Sequence, residues 1–274
     1  MKIAVTSGYS KSRHAIALIA MLAKRGHDVG LCLNVRTLSV KRFRAYYRFY
    51  GRKLFSLARR RMMSGGSADA LHPEVRYMDA YLKENGIQAR TIGAVSRETG
   101  TRVVSVGSLN DEKSLAAVRS YGPDVIVYAG GGLLRAPLIA LPGIGVLNAH
   151  GGPLPAVRGM NAAEWALMLG LRPGTHEHFI DTGVDTGPLL FFQPLAIGAG
   201  DVIADVRGKA TVQAVESHLR AVDLLAEGRR ELTAQDRSAG QQYFDMHPLL
   251  VDILDDWLRN GRLNLAPESG SRPT

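Results

Sequence analysis

Cysteine is almost missing from this chain: 274 residues hold one, Cys32. A single cysteine excludes an intramolecular disulfide framework and any multi-cysteine metal site. Long apolar runs are missing too. No stretch reaches the roughly 18–20 apolar residues of a membrane span. The opening MKIAVTSGYSKS holds too short an apolar run for a secretory signal, so a soluble, cytoplasmic protein is expected. Compositional bias is absent as well. With 46% hydrophobic and 22% charged residues the chain is neither wholly disordered, collagen-like nor a coiled coil. There are no internal repeats, and the length suits one large α/β domain or a domain with a small appendage.

Acidic residues are missing from one place in particular. Residues 36–61, RTLSVKRFRAYYRFYGRKLFSLARRR, contain ten basic side chains and no acidic one. The whole chain has 34 Lys+Arg against 25 Asp+Glu, so without this segment 24 basic residues would face 25 acidic ones. The entire positive excess of +9 therefore sits in one insert, about 36–63, and the rest of the chain is balanced. That argues against a protein that coats nucleic acid over a broad face. Phe43, Tyr46, Tyr47, Tyr50, Leu54, Leu57 and Ala58 recur at helical steps with Lys41, Arg44, Arg48, Arg52 and Arg59 between them. The pattern predicts a basic amphipathic helix. Its aromatic face suits packing on the domain or on a second subunit of a homodimer; its basic face suits a peripheral anionic surface, or a grip on substrate. A loop, MSGGSADALHP, follows at 63–73.

Elsewhere the pattern alternates. Lys2–Thr6 reads as a strand, a helix follows to Lys24-Arg25-Gly26, and Asp28–Asn34 is a second strand. Basic residues followed by Gly are a helix stop. Helices are expected at 75–85, 111–121, 133–140, 160–170 and 201–228, and strands at 124–128, 145–150 and on either side of DTGVDTGP. Residues 88–106 look β-rich. This is a doubly wound, Rossmann-like α/β fold, with a mostly parallel sheet and helices on both faces. Residues 1–228 form the expected catalytic domain and 229–274 a short tail of loop and helix.

Two segments carry chemistry: LNAHGGPLPAVRGMNAAEWA (147–166) and HEHFIDTGVDTGPLL (176–190). Strand alternation puts Asn148 and His150 on one face at a strand end. In open parallel sheets ligands bind beyond the carboxyl ends of strands. Asp185 sits in a Gly-flanked loop from which a carboxylate can reach an imidazole. An Asn amide can donate to an oxygen that becomes negative during acyl transfer. A His moves a proton at neutral pH, and an Asp orients it or takes a proton from an amine through water. Taken singly, each of the three is as readily a turn residue, a structural histidine or part of a plain hairpin.

Together the segments resemble the folate-dependent formyltransferases, which include glycinamide-ribonucleotide, methionyl-tRNA and sugar N-formyltransferases. The resemblance rests on Asn148-Ala149-His150, Leu154-Pro155, Arg158-Gly159, Trp165 and Asp181-Thr182-Gly183-Val184-Asp185-Thr186-Gly187-Pro188, and covers about residues 100–230. It implies catalytic places for Asn148, His150 and Asp185, and 10-formyltetrahydrofolate as donor. The pterin would lie against Gly131, Gly132, Leu133, Leu134 and the stretch Asp181, Thr182, Gly183, Val184. Glycine-turn backbone groups can read a flat heterocycle while the leucines and the valine supply apolar walls. The chain departs from the family at Gly152 and Pro153, where Ser and Leu are common, and at His176 and Glu177, where small or β-branched residues are usual; His178 matches a frequent family His. His176 and His178 share a strand face, but two histidines without a cysteine partner argue against zinc, and no metal is expected.

For the acceptor side the candidates are Ser7, Gly8, Tyr9 and Lys11 in the turn before the first helix, Arg158 as an anion contact or a loop brace, and Tyr243 as an aromatic lid or a docking residue for the tail. Methionyl-tRNA formyltransferases carry a C-terminal β-barrel of about a hundred residues, a small domain in its own right, whereas residues 229–274 are too few for one. A tRNA acceptor is therefore disfavoured, and a small-molecule amine, such as an amino sugar nucleotide or a secondary-metabolite intermediate, is expected. Two alternatives stay open: a 10-formyltetrahydrofolate hydrolase using the same three residues, and a non-catalytic module binding anions or membranes whose folate site is vestigial.

Overall fold

The computed structural model describes residues 1–36, 75–263 and 265. The basic insert beyond Arg36, the loop at 63–73 and the end of the tail lie outside the described residues.

The chain begins as β1 (Lys2–Ser7), α1 (Arg13–Lys24) and β2 (Asp28–Val35). Ser12 caps α1 by accepting from the Ala15 N–H at 3.3 Å, which satisfies one of the orphan donors of a helix start. Next come α2 (Val75–Glu84), α3 (Ile92–Thr99), β3 (Arg102–Val106), α4 (Glu112–Tyr121), β4 (Val125–Val127), the single-turn α5 (Ala136–Ile139) and β5 (Gly145–His150). The second half holds β6 (Val157–Gly159), α6 (Ala162–Met168), β7 (Gly174–Phe179), β8 (Leu189–Pro194), α7 (Ile203–Ala226), β9 (Gln241–Tyr243) and α8 (Pro248–Arg259).

Seven strands form one sheet in the order β3-β2-β1-β4-β5-β7-β8. The first five are parallel; β7 and β8 add antiparallel at one edge. The order reverses between β1 and β4, which creates the crevice where such sheets bind ligands. One face carries α1, α2, α3 and α7, packed around Ile16, Ile19, Leu82, Val95 and Leu219. The other carries α4 and α5, around Leu33, Ile126, Val118 and Leu138. Strands covered on both faces must be apolar throughout, which is why DVIVY reads as a continuous hydrophobic run.

Two expectations need correction. Residues 88–106 are not uniformly β: Ile92–Thr99 is a helix. The Thr91 side chain accepts from the Ala94 N–H at 3.1 Å, Gly100 closes the helix in the left-handed region (φ 75), and Ile92, Val95 and Ser96 are buried on one face. Cap chemistry and helical period outweigh the β propensity of Ile, Val and Thr. In the stretch 133–140 only Ala136–Ile139 is helical. Asn110 holds the chain before it extended, donating to the Leu133 carbonyl at 2.7 Å and accepting from the Arg135 N–H at 2.8 Å.

The tail is tied to the domain. β9 pairs parallel with β6. Met246, Leu254 and Leu258 join Ala163, Leu167, Ile203 and Val206 in a third buried cluster.

Candidate active site

The register of β5 against β7 builds the site. Asn148 pairs with His178 and His150 with His176, so four polar residues share one face of the sheet. Asn148 Nδ2 lies 3.0 Å from His178 Nε2, and His178 Nδ1 lies 3.0 Å from the Phe179 carbonyl. A carbonyl only accepts, so the His178 proton sits on Nδ1, and Nε2 accepts from the Asn148 amide. Burial, the largest cause, lowers the His178 pKa, with the neighbouring His150 acting the same way. A neutral His178 keeps the lone pair that orients Asn148. Among the described residues the second Asn148 N–H has no protein partner.

His150 is fixed by the same logic. Its Nε2 lies 2.8 Å from the Val157 carbonyl, which assigns its proton to Nε2 and leaves Nδ1 as the basic atom. Nδ1 is 3.4 Å from Asp185 Oδ2. An imidazole that takes a proton at Nδ1 therefore forms an ion pair with that carboxylate.

Asp185 is delivered by a constrained loop. Its φ of 52° is unusual for a residue with a side chain and costs of order 1 kcal/mol or more. Three contacts hold it. Its Oδ2 accepts from the Gly159 N–H at 2.9 Å, and Gln235 Nε2 donates to the Asp185 carbonyl at 3.1 Å and to the Gly187 carbonyl at 2.5 Å. Gly187 is required by close approach: a Cβ there would lie 1.9 Å from the Phe179 carbonyl oxygen. Asp181 organises the loop, accepting from the Gly183 N–H at 2.9 Å and the Thr186 hydroxyl at 2.7 Å, with Arg237 on its other oxygen at 2.5 Å.

Asn148, His150 and Asp185 all line one open cavity of about 490 Å³. Its lining also includes Asn161, Glu164, Arg207, Ala210 and Thr211. Such a site can donate a hydrogen bond to an oxygen gaining negative charge and take a proton from an attacking amine.

The remaining sequence candidates lie outside that lining. Gly131, Gly132, Leu133 and Leu134 form a turn at the end of β4. Gly130, Gly131 and Gly132 all have positive φ (96°, 124° and 99°), which only glycine adopts freely. Thr6 Oγ1 donates to the Gly130 carbonyl at 2.7 Å, Leu134 packs on the core, and Leu133 is 80% exposed. Thr182 and Gly183 are exposed in the Asp185 loop, and Val184 is half-buried. Gly8 abuts Gly131: a Cβ on Gly8 would sit 3.4 Å from the Gly131 nitrogen. The Ser7 hydroxyl is spent on the Tyr9 carbonyl at 2.8 Å, and Tyr9 is exposed. Lys11 lines a second cavity, beside Arg13 and Arg90. The Arg158 side chain reaches the Arg237 carbonyl at 3.4 Å. Tyr243 stacks on Trp165 with ring centroids 4.9 Å apart, and its carbonyl accepts from the Met160 N–H at 3.0 Å. Of the two readings weighed for these last two residues, bracing and docking describe the contacts they make. His176 accepts from the Leu154 N–H at 2.9 Å on Nδ1. Among the described residues no three His, Cys, Asp or Glu side chains are grouped to hold a metal ion.

Sequence reasoning missed Glu164, Arg207, Asn161 and Gln235. Asn161 and Glu164 lay inside a quoted motif, but no local signal distinguished Arg207 or Gln235 from ordinary surface residues.

The sequence pattern of the formyl transferase family matches residues 78–222. The chain belongs to the formyl transferase family. It is 31% identical over 142 residues to the methionyl-tRNA formyltransferase of Chlorobium luteolum, covering 52% of this chain and 45% of that one. It is 32% identical over 145 residues to the methionyl-tRNA formyltransferase of Anaeromyxobacter dehalogenans, covering 52% and 46%. The matches thus span about half the length of these curated relatives. In fold it is similar to glycinamide ribonucleotide transformylase 1 of Symbiobacterium toebii, with a TM-score of 0.56 at 20% identity, covering 86% of this chain and 94% of that one. A 4-N formyltransferase from Francisella tularensis superposes with a TM-score of 0.53 at 14% identity, covering 88% and 75%. The formyl transferase frame agrees with the fold expected from the sequence. No helix among the described residues is long and apolar enough to cross a membrane.

Proposed function

We propose that this formyl transferase moves a formyl group from 10-formyltetrahydrofolate to the primary amine of a small molecule. The observation that carries the reading is the convergence of Asn148, His150 and Asp185 on one cavity, with a proton-accepting Nδ1 held beside a carboxylate. The residues at the sheet's switch point suit a reduced pterin. The three-glycine turn presents bare backbone to a flat ring, and Leu133 beside it is an apolar side chain with little cover. When bound, the folate supplies the activated formyl carbon. This chain's own residues do the rest. Asn148, oriented by neutral His178, donates its second N–H to the formyl oxygen. His150 Nδ1 takes the proton released by the attacking amine, Asp185 stabilises the resulting imidazolium, and the imidazolium would pass that proton to the donor nitrogen as its bond to the formyl carbon breaks. Gln235 and the Gly159 N–H hold Asp185 in reach.

An amino sugar nucleotide is the preferred acceptor class, in line with a sugar N-formyltransferase from Shewanella sp that is also similar in fold, with a TM-score of 0.54 at 12% identity, covering 93% of this chain and 86% of that one. The named function of the sequence relatives supports a second reading, in which methionyl-tRNA is the acceptor. The test is a product assay with the donor and separate acceptors: amino sugar nucleotides, glycinamide ribonucleotide, amino acids and methionyl-tRNA. Tetrahydrofolate and an N-formylated small molecule are expected together. Formylation confined to methionyl-tRNA overturns the small-molecule reading. Donor breakdown at a rate that no amine raises replaces transfer with hydrolysis.

A further inference from the structure

The short strand β6 holds both members of the acid–base pair. Its Val157 carbonyl accepts from His150 Nε2 at 2.8 Å, and its Gly159 N–H donates to Asp185 Oδ2 at 2.9 Å. The place of β6 therefore decides which His150 nitrogen carries the proton and where the carboxylate stands. The alternate backbone groups of β6 are spent on the tail: the Ala156 carbonyl accepts from the Gln241 N–H at 3.1 Å, and the Met160 N–H donates to the Tyr243 carbonyl at 3.0 Å. What leads into β6 is the turn 153–157, closed by the Val157 N–H donating to the Pro153 carbonyl at 2.9 Å. Inside that turn the buried Leu154 donates its N–H to His176 Nδ1 at 2.9 Å. His176 is the β7 residue paired with His150, and Phe192 lies against its ring with centroids 4.5 Å apart.

One form of the His176 ring fits these contacts. The Gly152 carbonyl lies 3.2 Å from the same Nδ1. A carbonyl only accepts, so it would need a proton on Nδ1, whereas the Leu154 N–H needs the Nδ1 lone pair. A buried backbone N–H is costly to leave unpaired. The lone pair therefore goes to Leu154 and the ring proton to Nε2. Burial, the largest cause, lowers the His176 pKa to about 4, which keeps the ring neutral. We infer that His176 is a positioning residue: through the Leu154 N–H it anchors the turn 153–157, and so holds the Val157 carbonyl where it fixes the His150 proton on Nε2 and leaves Nδ1 basic. His176 is outside the cavity lining, so it acts through His150. Its effect on turnover rests on the proposed transfer reaction; its effect on the His150 proton does not.

Three substitutions separate the acceptor atom from the bulk of the ring. His176→Leu removes Nδ1 and keeps a side chain against Phe192. His176→Gln carries its oxygen one bond further out, past the Leu154 N–H. His176→Asn puts an amide oxygen where Nδ1 stands. The Leu and Gln variants should lower kcat by about ten- to a hundredfold with KM almost unchanged, while the Asn variant should stay within about threefold of the parent. Proton–nitrogen correlation spectra of protein labelled at histidine read the tautomer, with the His150 signals assigned by their absence from His150→Gln. In the parent and in the Asn variant His150 should carry its proton on Nε2 alone; in the Leu and Gln variants it should populate the Nδ1–H form as well. If His176→Leu does not fold, His176→Gln carries the comparison. Parent-like kcat in the Leu and Gln variants overturns the inference. So does a loss that the Asn variant shares, or a loss with the His150 tautomer unchanged. The spectra need neither folate nor amine. A tautomer shift in a protein that formylates no acceptor would support the positioning role and count against the transfer reading alone.

Discussion

Glu177 and His178 are neighbours on β7, yet they face opposite sides of the sheet and do opposite things. His178 stands on the face with Asn148, His150 and Asp185, at the edge of an open cavity. Glu177 points the other way, into the helical layer, where its Oε1 meets His218 Nδ1 on α7 at 2.8 Å with both side chains fully buried. His14 of α1 lies against that pair, its ring centroid 5.8 Å from His218. Each face therefore has an acid beside an imidazole. What separates them is access. The front pair opens on space that a substrate can enter. The back pair is sealed, so its orphan atoms, Glu177 Oε2, His218 Nε2 and His14 Nε2, meet only protein. Residue type is shared by catalytic and structural pairs alike; the cavity distinguishes them.

The contrast breaks most clearly at the front. Asn148→Ala, His150→Ala and Asp185→Ala should each lower kcat by about 10²–10⁴-fold, the usual contribution of a lost oxyanion donor or acid–base group. Their thermal midpoints should move little. Steady-state kinetics with melting curves on the same samples reads both effects. A Glu177→Gln variant that lost as much turnover at an unchanged midpoint would erase the distinction between the two faces.

At the back the loss should appear as stability. His218→Ala leaves Glu177 buried without its partner, which costs roughly 3–5 kcal/mol. Replacing both, as Glu177→Leu with His218→Leu, should recover most of that, because a well-packed apolar pair is often as stable as a buried ion pair. Denaturant unfolding of the two single variants and the double variant checks this. Additive losses in the double variant would mean that the two side chains are not energetically coupled.

A smaller effect sharpens the front. His178→Ala removes the acceptor that orients Asn148 without removing Asn148. Misplacing a reacting group costs up to about a hundredfold, so kcat should fall by less than in Asn148→Ala. Combining the two substitutions should add almost nothing, since both act through one amide. A double variant far slower than Asn148→Ala alone would give His178 a second role.

Much of this was legible in the sequence, for physical reasons that also mark where reading stops. The two-residue period of a strand placed Asn148 and His150 together, and a Gly-flanked Asp announced a loop able to reach them. Both signals are local. The β5–β7 register that brings His178 under Asn148 depends on pairing across 30 residues. Arg207 reads in sequence as one more cation on a long amphipathic helix, and only tertiary packing turns it into the cavity. Tyr243 offered a stackable ring, but the stacking partner, Trp165, lies 79 positions from the Phe244 carbonyl that it also binds. Helix α3 was hidden because its β-branched residues outvoted a single capping threonine.

The two faces also differ in how they answer acid. Burial, the main cause, with His218 beside it, lowers the His14 pKa from 6.5 to about 3. Burial likewise lowers that of His176 to about 4, with the neighbouring His150 and His178 acting the same way, partly offset by the Gly152 carbonyl. Both folded values lie below the unfolded one. As pH falls through 6.5 the unfolded chain takes up protons that the folded chain refuses, so the stability present above 6.5 is lost progressively, towards pH 4 for His176 and pH 3 for His14. The slope should be roughly 1.4 kcal/mol per pH unit for each such histidine. The lowered carboxylates Asp111, Asp205 and Asp236 start from 3.8, so they act below this window. Between pH 6.5 and about 4.5 the histidines should dominate. His14→Gln should flatten the curve there and leave the low-pH limb in place. His176→Gln should do the same from the front face, because it too is half-buried, with its Nδ1 spent on the Leu154 N–H. If unfolding free energy stayed level across that window in the parent protein, neither face would hold its histidines neutral, and the fixed proton on His178 would have to be assigned differently.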